Sequence, residues 1–472
     1  MKTSFTDDPK DFSVGGEQVN ITHASQYVIL DALEESSGEP YRKYLSKIPF
    51  KNRVLITRKN LSAEAEKNVK TIFSEVILVE NYYLSAAVEE IIVSLHKKSP
   101  IKRILTEATE EFDIMRAADL REYLRIEGQN SKSALAFRDK VVMKQLVEEH
   151  RFSVPGFNST NTGLDLIRFI DKHGFPVIVK PRNGLGSVKT TVLTNEGELR
   201  EFLKANYNCE AFSNLMVESF IQGEVYHVDG VCQNDLIVSW PSRYINSCLE
   251  MAVDRKMLGS HLLSKTNPLT QRLKRYAEGL IPLFPIPPQT PFHLEVFITE
   301  NSQDIIFCEI ASRVGGHINN NWKQGLGIDL EQFYYDAQCG IEHRFEAGYK
   351  EEPEYIPGWL LFPVRVNQTI EYIEPICPFD FCTNYEVLMK VGDRAESVLG
   401  IWSNLAKIQI LATSEDDFAI KAEKVRVWFE NTLRYKPLSV TNTFDDKVES
   451  YTQPKSESGF QSMKAVIDSL HH

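Results

Sequence analysis

Two carboxylates set the chemistry within reach of this sequence. Glu295 stands in HLEVF and Glu309 in FCEIA, two apolar runs joined by a polar turn. If the runs pair as a hairpin, both acids face one side of the sheet. Like charges so placed repel unless a cation lies between them. Hard oxygen ligands in a partly open shell suit Mg²⁺ shared with phosphate oxygens. Arg313 follows Glu309 at an even offset, on the same face of an extended chain. A tight polar turn with Gly315, Gly316, His317 and Asn319 comes next. An ion pair at a strand end followed by a turn accounts for the same residues without chemistry.

The second candidate is RNGLGSVK, with Asn183, Gly184, Gly186 and Ser187 at its centre. It lacks the glycine before lysine of a Walker A loop and the third glycine of a dinucleotide loop. It joins strand to strand, so it is a flexible basic hairpin tip. It reads either as a solvated turn or as a lid whose N–H groups close on phosphate. Lys180 ends the apolar strand before it and shares a face with Ile178. An ammonium there is costly unless an anion meets it, although a strand-end lysine can also snorkel to water. Lys140 and Lys144 lie one helical turn apart in RDKVVMK, a spacing that alone favours a charged outer face.

Glu218, Phe220, Ile221 and Glu224 in ESFIQGE form a strand end that can offer backbone groups to an adenine edge and an acid to ribose hydroxyls. His293 alternates onto the face of Glu295. His227 and Asp229 alternate on another strand and are expected to face the same cleft. A satisfied core histidine is the commoner outcome for such residues.

These side chains need a scaffold. Apolar runs at Tyr27–Leu30, Val54–Thr57, Val76–Val79 and Arg103–Thr106 are separated by helical patterns at Leu61–Phe73, Ser85–Leu95 and Phe112–Leu124. Strands separated by helices indicate right-handed βαβ units and a parallel sheet. Ser131–Glu149 reads as one helix. Strands follow at Phe175–Lys180, Thr190–Leu193, Leu215–Glu218, Val225–Cys232 and Leu236–Trp240. A loop is expected from Pro241 to Asn267, a helix near Thr270–Leu280, then an extended proline-rich connection over Leu283–Pro291. Near the end, Phe418, Ala422, Val425 and Phe429 fall at helical spacing behind Ser414, a capping residue. Tyr451–Gly459 is polar and reads as loose.

The 472 residues predict two to four domains. The formal charge of −12 argues against a nucleic-acid binder. No run is long and apolar enough for a bilayer. The first residues carry acids where a signal peptide has an apolar core, so a cytoplasmic location is expected. Seven cysteines without CxxC suggest isolated thiols. If the protein handles a polyanion, Lys140, Lys180, Arg182, Lys189 and Arg313 should converge on one cleft.

The order of these signals resembles the ATP-grasp superfamily, and within it the L-amino acid ligases, the group of bacilysin synthetase and carnosine synthase. LREYLRIEGQ, AFRDKVVMK, YHVDG, FHLEVF and EIASRVGGH carry the closer likeness. The resemblance implies an α/β chain with an ATP-grasp fold. An N-terminal parallel βαβ domain would cover residues 1–128, an ATP-grasp core 129–348 with a lid at about 150–220, and a C-terminal α+β domain 349–472. It implies ATP and Mg²⁺, with Mn²⁺ as a substitute, small carboxylate and amine substrates of the amino acid type, and a homodimer. Lys140 and Lys180 would contact phosphates, and Asn183 to Ser187 would cover them. Glu218 to Ile221 would form the adenine hinge and Glu224 would hold the ribose. Glu295 and Glu309 would bind the metal, and Arg313 would stabilise an acyl phosphate. His293, His317, Asn319 and the segment Glu250–Lys265 are candidates for the substrate pocket. Many relatives carry asparagine where this chain has Ala311, which leaves the metal shell a ligand poorer. The expected reaction is carboxylate–amine ligation with release of ADP and phosphate. A carboxylase or purine-type ligase of the same fold, or a non-catalytic nucleotide-binding protein, stays open.

Overall fold

The computed structural model describes residues 25–33, 38–206, 212–301, 303–342, 349–395 and 403–436. The stretch Tyr451–Gly459 lies outside them.

Strands β1 (Gln26–Leu30), β2 (Arg53–Arg58), β3 (Glu75–Val79) and β4 (Ile101–Thr106) alternate with helices α1 (Pro40–Tyr44), α2 (Ala63–Ile72), α3 (Ala87–Lys98) and α4 (Phe112–Leu124). The strands are parallel, in the order β3-β2-β1-β4. Val28, Ile29 and Leu30 are fully buried, as expected of a strand covered on both faces.

The helix expected over Ser131–Glu149 is two helices, α5 (Ser131–Arg138) and α6 (Lys140–Glu149). Asp139 breaks them apart. It adopts extended backbone, and its carboxylate accepts from the N–H groups of Val141 and Val142. N-capping the second helix outweighs continuing the first.

A second sheet follows, built from β5 (Phe157–Thr160), β6 (Val177–Pro181), β7 (Thr191–Leu193) and β8 (Leu215–Ser219), with α7 (Gly163–His173) and α8 (Glu196–Ala205) between them. It is antiparallel, in the order β5-β8-β6-β7. The glycine loop joins β6 to β7, as a hairpin tip should.

The remaining elements are β9 (Gly223–Gln233), β10 (Leu236–Tyr244), α9 (Cys248–Asp254), β11 (Leu258–Leu262), α10 (Pro268–Leu280), β12 (Gln289–Thr299), β13 (Ile305–Ala311), α11 (Ile318–Leu326) and α12 (Leu330–Cys339). After them come β14 (Ile356–Pro363), β15 (Ile370–Tyr372), β16 (Cys382–Val387), β17 (Asn404–Ala412), α13 (Glu415–Thr432) and β18 (Arg434–Tyr435). Eight strands form one antiparallel sheet in the order β13-β12-β9-β10-β11-β14-β17-β16. The C-terminal strands thus extend the central sheet, and the division expected at 348–349 runs through it. The loop expected from Pro241 to Asn267 is wrong. It holds the end of β10, the capped helix α9 and the central strand β11. Leu258 to Leu262 is buried on both faces, so its residues do not alternate in polarity.

Two cores position the site. One packs α6 and α10 against Val228, Leu294 and Ile310 of the central sheet. The other packs α11 and α12 between the N-terminal sheet and Trp240, Leu262 and Leu361. Helix α13 starts at Ser414, whose hydroxyl accepts from the Asp417 N–H, and buries Phe418, Ala422, Val425 and Phe429 as its spacing requires. Among the described residues, no helix is long and apolar enough to cross a membrane.

Candidate active site

The lid sheet and the central sheet enclose a cleft of about 800 Å³. Its floor comes from β12 and β13. Glu295 and Glu309 are direct cross-strand partners, with a bulge immediately after Glu295. Two carboxylates at facing positions repel, and here a lysine answers one of them. The Lys140 Nζ lies 3.0 Å from Glu309 and donates to the Gly184 carbonyl at 2.6 Å. Burial would raise the Glu309 carboxyl, but Lys140 and Lys180 outweigh it and hold it at about 2. Burial lowers the Lys140 ammonium, opposed by Glu309 and reinforced by Lys180. Glu295 accepts from the Tyr244 hydroxyl at 2.8 Å. Ala311 stands opposite His293.

Behind the floor lies a buried cation–anion–cation bridge. Lys180 Nζ donates to Glu218 Oε1 at 2.5 Å, and Lys144 Nζ is 3.3 Å from Glu218 Oε2. Lys144 also donates to the Cys308 carbonyl. It is fully buried, so the outer-face reading of its spacing is wrong. The side chain of Glu218 holds lysines together rather than facing a base. The segment Ser219 to Ile221 lines the cleft beside it. The N–H groups of Ser219 and Phe220 bond to the carbonyls of Gly156 and Pro176. Glu224 borders the same cleft, paired with Arg243 and accepting from Tyr226 Oη at 2.9 Å.

The glycine loop is anchored at its base. Arg182 pairs with Asp139, the capping residue of α6, and its carbonyl accepts from the Lys140 N–H. Asn183 accepts from Asn214 through its side chain and from Arg138 through its carbonyl. Asn183 therefore fastens the loop, while Gly184, Gly186 and Ser187 line the cleft. Gly186 and Ser187 sit at φ +55° and +58°.

Arg313 does not open into this cleft. It lies in a smaller adjoining space that shares Lys140 and Glu309. Its Nε and Nη2 donate to Glu111 Oε1 at 2.7 and 2.6 Å. Arg138 pairs with the other oxygen of Glu111. The five cations expected to meet in one cleft therefore divide. Lys140 and Lys180 line it, Arg182 turns to Asp139, Lys189 borders a groove on the lid, and Arg313 stands beside it.

His227 and Asp229 do not face the cleft as expected. Both are fully buried beneath it. With His293 they form a cluster whose ligand-type atoms lie within 4.8 Å of one another, joined by hydrogen bonds. Burial would raise the Asp229 carboxyl, but His227 and His293 hold it well below the ordinary range. Burial would lower His293, but Asp229 and Glu295 bring it up to about 9. His317 packs on the Trp359 ring at 5.2 Å, and burial, with Lys407 adding to it, holds it down to about 3. Both polar ends of Asn319 are committed to α12, through Asp329 and the Leu330 N–H. This makes it a helix-end tie rather than a pocket residue. Of Glu250–Lys265, Glu250, Met257 and His261 line the cleft.

Sequence reasoning missed Glu111, Tyr244 and Ser260. One available signal concerned Lys144: if Lys140 points inward, a residue one turn on must follow it.

Residues 137–316 match the family of ATP-grasp domains. The chain carries an ATP-grasp domain. An L-arginine-specific L-amino acid ligase of Bacillus subtilis is 24% identical over 358 residues, 72% of this chain and 83% of that one. A D-alanine–D-alanine ligase of Francisella philomiragia is 27% identical over 158 residues, 33% of this chain and 51% of that one. The crystal structure of an L-amino acid ligase from Bacillus licheniformis superposes with a TM-score of 0.66 at 15% identity, covering 88% of this chain and 99% of that one. The fold is thus shared along nearly the whole of that chain.

Proposed function

We propose that the protein is an ADP-forming ligase that joins the carboxylate of one L-amino acid to the amine of another. The observation that carries this reading is the opposed pair Glu295 and Glu309 on the floor of a cleft bordered by Lys140, Lys180 and the glycine loop. The likeness to the B. subtilis ligase supports it over most of the chain. On this reading the catalytic groups lie within residues 129–348, and β14, β17 and β16 extend the same sheet beyond them.

The donor set fits a hard dication: two carboxylates at facing positions, one of them held as the anion. Glu295 and Glu309 would hold Mg²⁺, which when bound offsets the negative charge of the phosphate oxygens. The chain's own residues do the rest. Lys140 and Lys180 bind phosphate oxygens as compact point charges. The loop from Asn183 to Ser187 closes over them and excludes water, which would hydrolyse an acyl phosphate. Residues 219–221 border the base and Glu224 the ribose.

In the first step a substrate carboxylate oxygen attacks the γ-phosphorus of ATP. The bond to the bridging oxygen breaks and ADP leaves. In the second step an amine attacks the acyl carbon, inorganic phosphate leaves with the bonding pair, and the amine nitrogen gives up a proton. Arg313 stabilises the charge on the acyl phosphate and on the tetrahedral adduct. Such transfers need positioning and charge neutralisation more than a protein nucleophile.

The test is ADP release across a panel of single amino acids and amino acid pairs, with products read by mass spectrometry. Stimulation by a pair, with a dipeptide mass, is expected. If no carboxylate and amine pair stimulates ADP formation, the ligase reading fails.

A further inference from the structure

The buried cluster beneath the floor takes no part in the steps above. It forms one chain of hydrogen bonds across the central sheet. Ser260 on β11 donates to His227 Nε2 at 2.6 Å. His227 Nδ1 donates to Asp229 Oδ2 at 2.5 Å, both on β9. His293 Nδ1 on β12 donates to Asp229 Oδ1 at 2.7 Å, and His293 Nε2 reaches Glu295 Oε1 at 3.3 Å. Ser260, His227 and Asp229 are fully buried. The proton positions follow from the partners: an ionised carboxylate only accepts, so both imidazoles must present Nδ1–H to Asp229.

Buried charge costs desolvation, so a chain of this kind is weak evidence for a stabilising role. The chain's contribution is orientation. It is braced from a second side as well. A Cβ on Gly315 would come within 2.6 Å of both Asp229 Oδ1 and His293 Nδ1, so the backbone that follows Arg313 presses directly on the cluster.

We propose that Asp229 is a positioning residue for Glu295. By accepting from His227 and His293 at once, it sets the His293 ring so that Nε2 faces the Glu295 carboxylate and fixes that carboxylate toward Glu309. This rests on the reading of Glu295 and Glu309 as metal ligands. Only a carboxylate can do this work. An asparagine at 229 would set its NH₂ against one of the two imidazole N–H groups.

The test uses the full chain, with Mn²⁺ as probe and free Mn²⁺ counted by electron paramagnetic resonance. ADP binding is measured separately in chelator. Asp229→Asn is expected to bind ADP in chelator as the unaltered chain does. Its Mn²⁺ affinity should fall by about 10- to 100-fold, the usual loss when a ligand's supporting partner is removed. The metal concentration for half-maximal ADP formation should rise in step, while KM for ATP at saturating metal holds. Unchanged Mn²⁺ affinity in Asp229→Asn overturns the proposal. If that variant does not melt cooperatively, His293→Gln decides. Its amide nitrogen can take the place of Nε2 beside Glu295 but drops the link to Asp229. The same loss supports the proposal and unchanged affinity overturns it. If the unaltered chain binds no Mn²⁺ that Glu309→Gln abolishes, the ligand reading itself fails, and the positioning role with it.

Discussion

Glu111 holds Arg313 in place. One carboxylate oxygen takes two of the guanidinium donors of Arg313, and the other oxygen takes Arg138. A single acid at the start of α4 thus fixes two arginines that would otherwise repel, and it aims Arg313 at the space next to Glu309. Arg313→Ala should therefore abolish measurable turnover, a loss of at least about 100- to 1000-fold as for other deleted charge-stabilising donors. ADP binding should largely survive, because Arg313 stands outside the cleft proposed to hold the nucleotide. Loss of ADP binding by calorimetry would mean that the role is misassigned.

Glu111→Gln tests the support rather than the arginine. It removes the charge of the carboxylate that two nearly buried guanidinium groups share. Breaking a buried pair by removing one partner costs about 3–5 kcal/mol. A loss of that order is expected in urea unfolding, together with a fall in kcat. A variant as stable as the unaltered chain would show that water replaces the carboxylate.

The Lys144–Glu218–Lys180 bridge should make the protein acid-sensitive. Burial would raise the Glu218 carboxyl, but Lys144 and Lys180 bring it below its ordinary value of 4.5. A depressed carboxylate contributes stability that is present above its unfolded pKa and lost as pH falls through the folded one. Unfolding free energy should thus drop below about pH 4.5, the value Glu218 leaves on folding. Glu218→Gln should flatten that limb. An unchanged acid limb in the variant would place the sensitivity elsewhere.

Asp31 should act with the opposite sign. It follows directly on β1, where burial, with Glu107 adding to it, raises its carboxyl from 3.8 to about 7 against the hydrogen bonds from Leu33 N–H and Tyr41 Oη. Between these values the unfolded chain has lost the proton and the folded chain keeps it, so stability falls as pH rises from about 4 to 7. Asp31→Asn should remove that decline in melting experiments across the range. A variant whose decline persists would assign it to another group.

Much of this arrangement was legible in the chain, and the rest was not for identifiable reasons. The parallel strands and Phe112–Leu124 stand out because apolar runs alternate with amphipathic ones over local stretches. Glu295 and Glu309 could be paired because strand alternation and one short turn fix their faces. Asp139 in RDK looked like any helical residue. Its cap on α6, which sets where Lys140 starts, depends on geometry that only tertiary packing enforces. Leu258–Leu262 has polar and apolar residues buried alike, so periodicity carried no signal. Glu111, Tyr244, Ser260 and the burial of Lys144 are fixed by contacts between elements far apart in sequence, and no local pattern announces such contacts.

Lys140 offers the closing test, because its ammonium answers both Glu309 and the Gly184 carbonyl. On the proposed reading it must serve phosphate when nucleotide binds and share Glu309 with a metal. Removing it has two consequences of opposite sign. Lys140→Met deletes a charge-assisted contact worth about 1.5–3 kcal/mol, so ADP affinity should fall by about 10- to 100-fold. It also removes a positive charge that competes for the Glu309 carboxylate. Mn²⁺ alone, without nucleotide, should therefore bind the variant more tightly than the unaltered chain and raise its melting temperature more. Calorimetry with ADP and thermal melts with Mn²⁺ separate the two effects. A variant that loses ADP and Mn²⁺ together would mean that Lys140 builds the floor instead of competing there.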